Sequence, residues 1–244
     1  MFARLPHFRV ALGTAITLFV LTMAGCQGPM TKDESTAQSE SAPLAQSRNN
    51  WTAPPNTTPW PVDETASRIR LKVYRDGPLA RLGHNHVIEG PVSGTVFMAA
   101  EALDSAIRLK IPTDKFIVDN PASRREAGAD FPPIPDAARQ ATRKNMLSEA
   151  VLNRSRFSDI EVYSVELDGR PPKLLASLTV WVAGREATLS VPFTVVKSED
   201  RFDATASFSL NHADLGLTPF SVFGGALRVA EKIDVTIQLV ADRQ

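Results

Sequence analysis

The chain has 244 residues, of which 43% are hydrophobic and 22% are charged, with 27 basic and 27 acidic side chains. These proportions are typical of one globular domain with additional segments, and they exclude a chain that is disordered or membrane-embedded throughout. The balanced charge argues against nucleic acid as a partner, because phosphate binding needs an excess of basic residues.

Residues 1–25 are typical of a secretory signal peptide. Arg4 and Arg9 make a basic start, and residues 10–23 are almost entirely apolar. This run is shorter than the ~20 apolar residues that a membrane-spanning helix needs, but it fits the apolar core of a signal peptide. The sequence Leu-Thr-Met-Ala-Gly-Cys at 21–26 resembles a lipobox, which predicts cleavage before Cys26 and a lipid on that cysteine. The alternative is an ordinary signal peptide in which Cys26 has no role.

Cys26 is the only cysteine of the chain, so the domain has no disulfide and no free thiol. Cleavage also removes Arg4 and Arg9, which leaves 25 basic and 27 acidic residues and a net charge of −2. We therefore expect an exported protein, anchored through the lipid on Cys26 to a membrane of the periplasm or cell envelope. Gln27, directly after the cysteine, slightly favours the outer membrane.

Residues 26–60 are predicted to form a disordered tether. They are rich in Pro, Thr and Ser and poor in larger apolar residues, so they cannot bury enough surface to offset the entropy of ordering. A flexible linker of this length reaches roughly 30–35 Å, which holds a domain clear of the lipid head groups. Trp51 and Trp60 have two open placements, the membrane interface and the edge of the domain.

Alternation of apolar and polar residues dominates the domain at 61–244 and predicts eight β-strands. The apolar residues of these strands are Ile69, Leu71 and Val73; Ile88, Val92, Val96 and Met98; Ile107, Leu109 and Ile111; Ile160 and Val162; Leu178, Val180 and Val182; Leu189, Val191 and Phe193; Phe202, Ala204, Ala206, Phe208 and Leu210; and Ile233, Val235, Ile237 and Leu239. Each strand therefore has one face toward water and one toward an apolar interior. Such strands form a closed barrel or a two-sheet sandwich, and the pattern does not distinguish them.

One segment, residues 136–152, breaks the alternation and predicts a helix between the third and fourth strands. Its Ala and Arg residues favour a helix, and Pro135 is tolerated at the start. Basic residues on this helix and before it form either a solvated face or a contact for anionic lipid head groups. They are Arg124, Arg125, Arg139, Arg143 and Lys144.

Four stretches follow one another across about 180 residues. They are Trp-Pro-Val-Asp at 60–63 leading into the first strand, Leu-Gly-His-Asn-His-Val-Ile at 82–88 followed by Gly-Thr-Val-Phe at 94–97, Asn-Met-Leu at 145–147 through Phe-Ser-Asp-Ile at 157–160, and Leu-Gly-Leu-Thr-Pro-Phe at 215–220 leading to 224–227. Together they resemble the YceI-like, polyisoprenoid-binding family. The resemblance implies an all-β fold, an eight-stranded antiparallel lipocalin-like barrel with one inserted helix, whose long apolar cavity holds an isoprenoid lipid.

The inward positions of the strands and of the matching motifs give the candidate ligand-binding residues. These are Ile69, Leu71, Val73, His84, His86, Val92, Val96, Ile107, Leu109, Val180, Val182, Val191, Phe193, Phe208, His212, Phe220 and Phe223. The alternative for the apolar members is a packed core without a cavity. Gly90 and Gly94 share the inward parity and leave space, which favours a hollow interior.

Three histidines remain after cleavage, and two of them share the parity of inward apolar residues. His86 follows the parity of Ile88, and His212 that of Leu210. Inward imidazoles could ligate a metal, bind a ligand head group or bond to backbone carbonyls. No Asp, Glu or Cys cluster at ligand spacing strengthens the metal interpretation, so no metal site is predicted.

The motifs of common enzymes are absent. The chain has no G-x-S-x-G elbow, no G-x-x-x-x-G-K-[ST] loop and no G-x-G-x-x-G loop. The sequence therefore favours a non-enzymatic carrier of an isoprenoid lipid, of quinone or polyprenyl type, with no other cofactor expected. The alternatives are a metal- or redox-linked accessory protein that uses His84, His86 and His212, and a structural envelope protein with a solid core. A homodimer is left open.

Overall fold

A computed structural model describes residues 51–244 of the chain. The predicted signal peptide, the lipidation at Cys26 and the tether up to residue 50 lie outside the described residues. No helix among residues 51–244 is long and apolar enough to cross a membrane.

The described residues form twelve β-strands and two α-helices, joined in places by single 3₁₀ turns. The strands are β1 (Thr58–Pro61), β2 (Arg68–Asp76), β3 (His86–Pro91), β4 (Ser93–Met98), β5 (Ala106–Pro112), β6 (Ile117–Val118), β7 (Asp159–Arg170), β8 (Lys173–Val182), β9 (Arg185–Lys197), β10 (Arg201–Asn211), β11 (Ser221–Val222) and β12 (Leu227–Asp242). The helices are α1 (Pro121–Ala127) and α2 (Asp136–Leu147).

All twelve strands belong to one antiparallel sheet with the order β1-β4-β5-β7-β8-β9-β10-β12-β2-β3-β6, and β11 pairs with β12. Only Val92 separates β3, near one end of this order, from β4, near the other end. The sheet therefore curls around an apolar interior until both ends meet the same bent segment.

The expected count of eight strands is wrong, although every predicted strand region is a strand. The predicted second strand breaks at Val92, whose N–H donates to the carbonyl of Ser67. The extra strands β1, β6 and β11 have four residues or fewer, which is too short for a pattern of alternation.

The inward residues of the long strands form one continuous core, as their alternation predicts. Ile69 and Val73 of β2, Val96 of β4 and Val235 of β12 are all buried in it. Cross-strand register fixes this arrangement, because Val235 lies opposite Leu71 of β2, and a slip of one residue would turn each apolar side chain outward.

The single expected helix at 136–152 corresponds to α2, which ends earlier, at Leu147, where Ser148 takes an extended conformation. Helix α1 was not predicted. Its start has a plain signal, since the Asn120 side chain accepts from the N–H of Ala122 and Pro121 occupies the first turn. Seven residues give too little periodicity to reveal the helix.

The predicted disordered tether extends too far into the domain. Residues 51–60 pack on the sheet: Trp60 is buried in the core, and the Trp51 ring lies 5.4 Å from that of Phe97. The Trp51 indole N–H donates to the carbonyl of Ser164, 3.4 Å away. Both tryptophans therefore pack against the domain, and the described domain begins by residue 51.

Gly94 follows the bend at Val92, and both its backbone conformation and its close neighbour require a glycine. Its φ is +128°, and a Cβ there would lie 2.2 Å from the carbonyl oxygen of Arg108. Gly94→Ala should lower the free energy of unfolding by more than ~2 kcal/mol in urea denaturation, because backbone strain and a backbone clash add together.

Gly128→Ala is the matched control. Gly128 also has a positive φ, of +101°, but nothing lies within 4 Å of its Cβ position. This variant should lose less than Gly94→Ala, because it carries only backbone strain of about 1–3 kcal/mol at φ 101° and ψ −172° and no clash. Equal losses in the two variants would show that the β3–β4 bend does not need the close approach.

Candidate functional site

Cavity 1, of about 540 Å³, occupies the end of the interior where the β4–β5, β7–β8 and β9–β10 connections lie. Side chains from eight strands and from these connections line it, and nearly all are apolar. Lys197 is the only charged residue among the described residues that line this cavity.

Cavity 2, of about 270 Å³, lies at the opposite end of the interior. Helix α2 contributes Thr142, Asn145 and Met146 to its wall. The described residues that line cavity 2 include three histidines and two arginines, Arg75 and Arg228, but no Asp or Glu. The two ends of the interior therefore differ in chemistry.

Most of the predicted ligand-binding residues line one of these cavities. Those that line cavity 1 are Ile69, Val92, Val96, Ile107, Leu109, Val191 and Phe193. Those that line cavity 2 are Leu71, Val73, His84, His86, Val182, His212 and Phe220.

Three predicted residues line neither cavity. Phe223 is 75% exposed, because the 3₁₀ turn that it begins carries its side chain out to solvent. Val180 and Phe208 pack in the interior between the cavities. On β8, Leu178 lines cavity 1 and Val182 lines cavity 2, with Val180 between them. Val180, Phe208 and Val235, which lies opposite Phe208, line neither cavity, and we call these three residues the belt.

The interior contains cavities, but the prediction that Gly90 and Gly94 leave this space is wrong. A Cβ on Gly90 would lie 2.7 Å from the ring of Phe116, so this ring already fills the space. Gly94 is needed for the close approach of β5. The open volume comes instead from the curl of the sheet.

A buried carboxylate, Asp119, organises the histidine end. Its side chain is fully buried, and its Oδ2 atom lies 2.6 Å from Nδ1 of His86. Its Oδ1 atom accepts from the backbone N–H of Val87 at 2.9 Å and from the guanidinium of Arg124. Asp119 itself sits in the left-handed backbone region, with φ of 56°.

Arg124 completes this network from α1. Its side chain is 2% exposed, and it donates to the carbonyls of Asn85, at 2.7 Å, and Pro132, at 2.8 Å from Nε. The prediction of a solvated or lipid-contacting Arg124 is therefore wrong. Arg143 and Arg139 of the same basic group donate to backbone carbonyls of Asp114 and Asp119.

The other two histidines have different environments. His212 is 8% exposed, and its Nδ1 atom lies 3.0 Å from the backbone carbonyl of Glu231. His84 is exposed at the rim, with its ring 6.3 Å from that of His86. The backbone interpretation thus holds for His212 at Nδ1, whereas His86 has a carboxylate partner that the sequence did not suggest.

The electrostatics of this end follow from burial and charge. Burial raises the pKa of Asp119, but hydrogen bonds from His86, Val87 and Arg124 and the charge of His86 outweigh it and hold that pKa below its ordinary value. Burial lowers the pKa of His84, and the neighbouring His86, Arg124 and Arg75 lower it further. Among residues 51–244, no three or more His, Cys, Asp or Glu side chains are arranged to hold a metal ion.

Sequence reasoning missed Asp119 as a functional residue. Asp119 stands directly before Asn120 and Pro121, and this local sequence indicates only that a helix begins there. Its side-chain partners Arg124 and His86 lie 5 and 33 residues away in the sequence. Pairing at such distances is set by the packing of α1 against β3, which no periodicity reveals.

Asp119→Asn should lower the free energy of unfolding by about 3–5 kcal/mol at pH 7, because it leaves the Arg124 charge buried without a counter-charge. A carboxyl with a lowered folded pKa contributes stability above its unfolded pKa and loses it as pH falls. The difference between variant and wild type should therefore shrink below about pH 4. Chemical denaturation across pH measures this.

Asp136→Asn is the control, because its partner Arg139 forms an exposed pair in which the Asp136 side chain is 78% exposed. It should change stability by less than about 1 kcal/mol. A loss of that size for Asp119→Asn as well would contradict the account of the buried network.

By sequence, no family model and no curated protein matches the chain. By structure, BcnA of Burkholderia cenocepacia matches with a TM-score of 0.53 at 14% identity, over 74% of this chain and 99% of BcnA. The Campylobacter jejuni YceI protein has a TM-score of 0.41 at 11% identity, over 63% of this chain and 81% of that one. A mutant of it with a monobromobimane guest has a TM-score of 0.44 at 10% identity and the same coverage.

These identities support the fold and nothing finer, and only the BcnA match has a TM-score above 0.5. BcnA is covered almost completely, so the similarity extends over a whole domain. The described domain has the fold of BcnA.

Proposed function

We propose that this protein is a membrane-tethered envelope lipoprotein whose curled sheet works as a lipocalin-like barrel and binds a long-chain isoprenoid lipid of quinone or polyprenyl type. The tail occupies cavity 1 and the head group lies in cavity 2. The observation that carries the proposal is an apolar cavity of about 540 Å³ with a single charged lining residue, in line with a smaller cavity lined by imidazoles.

The two cavities lie end to end in one interior. Along β2, Ile69 lines cavity 1 and Leu71, the next inward residue, lines cavity 2. Along β7, Val162 lines cavity 1 and Ile160 lines cavity 2. A single amphiphile can therefore extend from one cavity to the other once the belt side chains shift.

The affinity in this proposal comes from the tail. Each buried CH₂ contributes about 0.8 kcal/mol, so several isoprene units bind without specific polar contacts. An apolar cavity of this kind supports a role as carrier or reservoir. A solid structural core would have no such volume.

The anchor sets where the cargo is exchanged. Since residues 51–60 pack on the domain, the tether that the sequence predicts is reduced to residues 27–50. A coil of that length reaches about 25–30 Å. This reach keeps the domain near the bilayer, where a lipid with an isoprenoid tail resides.

The metal- or redox-linked alternative has less support. His86 and His212 are each engaged at Nδ1, by Asp119 and by a backbone carbonyl. A metal site would have to use the remaining Nε2 atoms, and no further Asp, Glu or Cys among the described residues joins these histidines as a ligand group.

Cys26→Ser should abolish lipidation and release or mislocalise the protein, because the thiol is the predicted site of attachment. Labelling of cells with a radioactive fatty acid, followed by membrane fractionation, tests this. Wild-type protein that takes up no label and is already released would contradict the anchor.

Val96→Trp should weaken binding of geranylgeraniol at least tenfold by filling cavity 1, which Val96 lines. The fold should lose less than about 1 kcal/mol, whereas an added ring in a solid core costs about 1–3 kcal/mol or more. Titration calorimetry in the Cys26→Ser background, which needs no detergent, measures binding, and urea denaturation measures stability.

Leu175→Trp is the matched control, because Leu175 is 40% exposed on the outer side of β8. It should leave geranylgeraniol binding unchanged. If Val96→Trp binds as tightly as this control, the tail does not occupy cavity 1.

A further inference from the structure

Strands β9 and β10 are neighbours in the sheet, but they pair over only part of their length. Their register joins Thr194–Lys197 to Phe202–Thr205 and stops there. On its other side β9 pairs with β8 from Arg185 onward, and β10 pairs with β12 along its whole length. We call the facing edges of residues 185–193 of β9 and 206–211 of β10 the seam.

The seam is a gap of limited length in the wall. Pro192 lies within it, two residues beyond the last paired residue of β9, and a proline inside a sheet is typical of an edge or a bulge because it has no N–H to donate. At the far end, the 3₁₀ turn His212–Leu215 contacts β9. A Cβ on Gly216 would lie 3.2 Å from Cδ of Arg185, so the turn closes the seam there.

Apolar side chains fill the seam in place of hydrogen bonds. Leu189, Phe208 and Leu210 have inward parity and pack against the core, yet all three are partly exposed. Among the partly exposed apolar strand residues that pack on the core within residues 51–244, only these three line neither cavity. Their exposure is therefore toward the outer surface, and the wall is incompletely closed at the seam.

Cavity 1 reaches the start of the seam. Thr205, the last paired residue of β10, has outward parity and is exposed, yet it lines cavity 1. Phe193 and Ala206, the first residues beyond the pairing, line the same cavity. The apolar cavity thus extends to the place where the two strands part.

The seam is also free of charge and of strand pairing. Residues 187–196 and 204–211 contain no charged side chain. An apolar chain that crosses the seam therefore desolvates no charged group, which would be costly. Opening a paired part of the wall would break backbone hydrogen bonds, whereas opening the seam needs only side-chain movement.

We infer that the isoprenoid tail enters and leaves cavity 1 sideways, through the seam between β9 and β10. Leu189, Phe208 and Leu210 form the gate, because their side chains must move aside to admit the tail and then close behind it. This inference rests on the proposed function and adds the route by which its cargo is exchanged. A tail that enters sideways need not be threaded end-first through the interior.

A cleavable linker across the seam tests this route. Continued by two residues, the β9–β10 register places Pro192 opposite Ser207, and both are exposed. In the Cys26→Ser background, Pro192→Cys with Ser207→Cys supplies the only two thiols. The protein is loaded with radiolabelled geranylgeraniol and joined by a short bis-maleimide that contains a disulfide. Transfer of the label to phosphatidylcholine vesicles is then timed.

The linked protein should release the ligand about tenfold more slowly or slower still, because the gate cannot open. Reduction, which cuts the linker, should restore the rate. The equilibrium affinity should stay the same, since a gate slows entry and exit alike. Leu189→Ala, which removes one gate side chain, should speed transfer about threefold or more.

Ser177→Cys with Ser190→Cys is the matched control, because these residues lie opposite each other in the paired strands β8 and β9. The same linker at this position should leave the transfer rate within about a factor of two of the unlinked rate.

The outcomes separate the two proposals. Release at the unlinked rate from the protein with a linked seam overturns the lateral route and leaves lipid binding intact. Equal slowing in the Ser177 and Ser190 control also overturns it, because the linker then acts on the whole barrel. If wild-type protein binds no geranylgeraniol, the proposed function fails, and the lateral route fails with it.

Discussion

The whole interior depends on the bend at Val92, where one run of chain serves as both β3 and β4. Strand β3 pairs with β2 and β4 pairs with β5, so this segment belongs to both ends of the sheet order. The sheet must therefore curl, and its inward side chains surround a volume instead of covering a plane. Gly94 allows β5 to approach closely at this bend. The cavities follow from this geometry.

The buried Asp119 gives one end of that volume a fixed polar wall. It joins β3 to α1, because it bonds to Val87 and His86 of β3 and to Arg124 of α1. The side chains of Asp119 and Arg124 are almost inaccessible to water. A buried ion pair adds little net stability by itself, but removing one partner is costly. The hydrogen bond between Nδ1 of His86 and the buried Asp119 therefore fixes the orientation of the His86 ring in the folded domain. Cavity 2 therefore has an imidazole held in a fixed orientation at its wall.

Sequence reasoning worked where a pattern is local and repeated. Alternation identified the strand regions and most of the lining residues, because the side chains of a strand point alternately in and out. It failed at β3–β4, where a break of one residue at Val92 leaves the alternation intact. It also placed Arg124 on the surface, because Arg is buried only when a distant partner such as Asp119 neutralises it. It also placed Phe223 in the interior, although this side chain is exposed. A short turn has no periodic pattern that shows whether a side chain points inward or outward.

The central claim is that the interior holds an isoprenoid tail, and the lipid that accompanies the protein tests it most directly. Wild-type protein would be purified from the membranes of the organism that produces it, washed and extracted with organic solvent, and the extract analysed by mass spectrometry. The account predicts an isoprenoid lipid, at close to one molecule per chain and depleted in Val96→Trp. Repeated extracts with no isoprenoid above the background of Val96→Trp would contradict it.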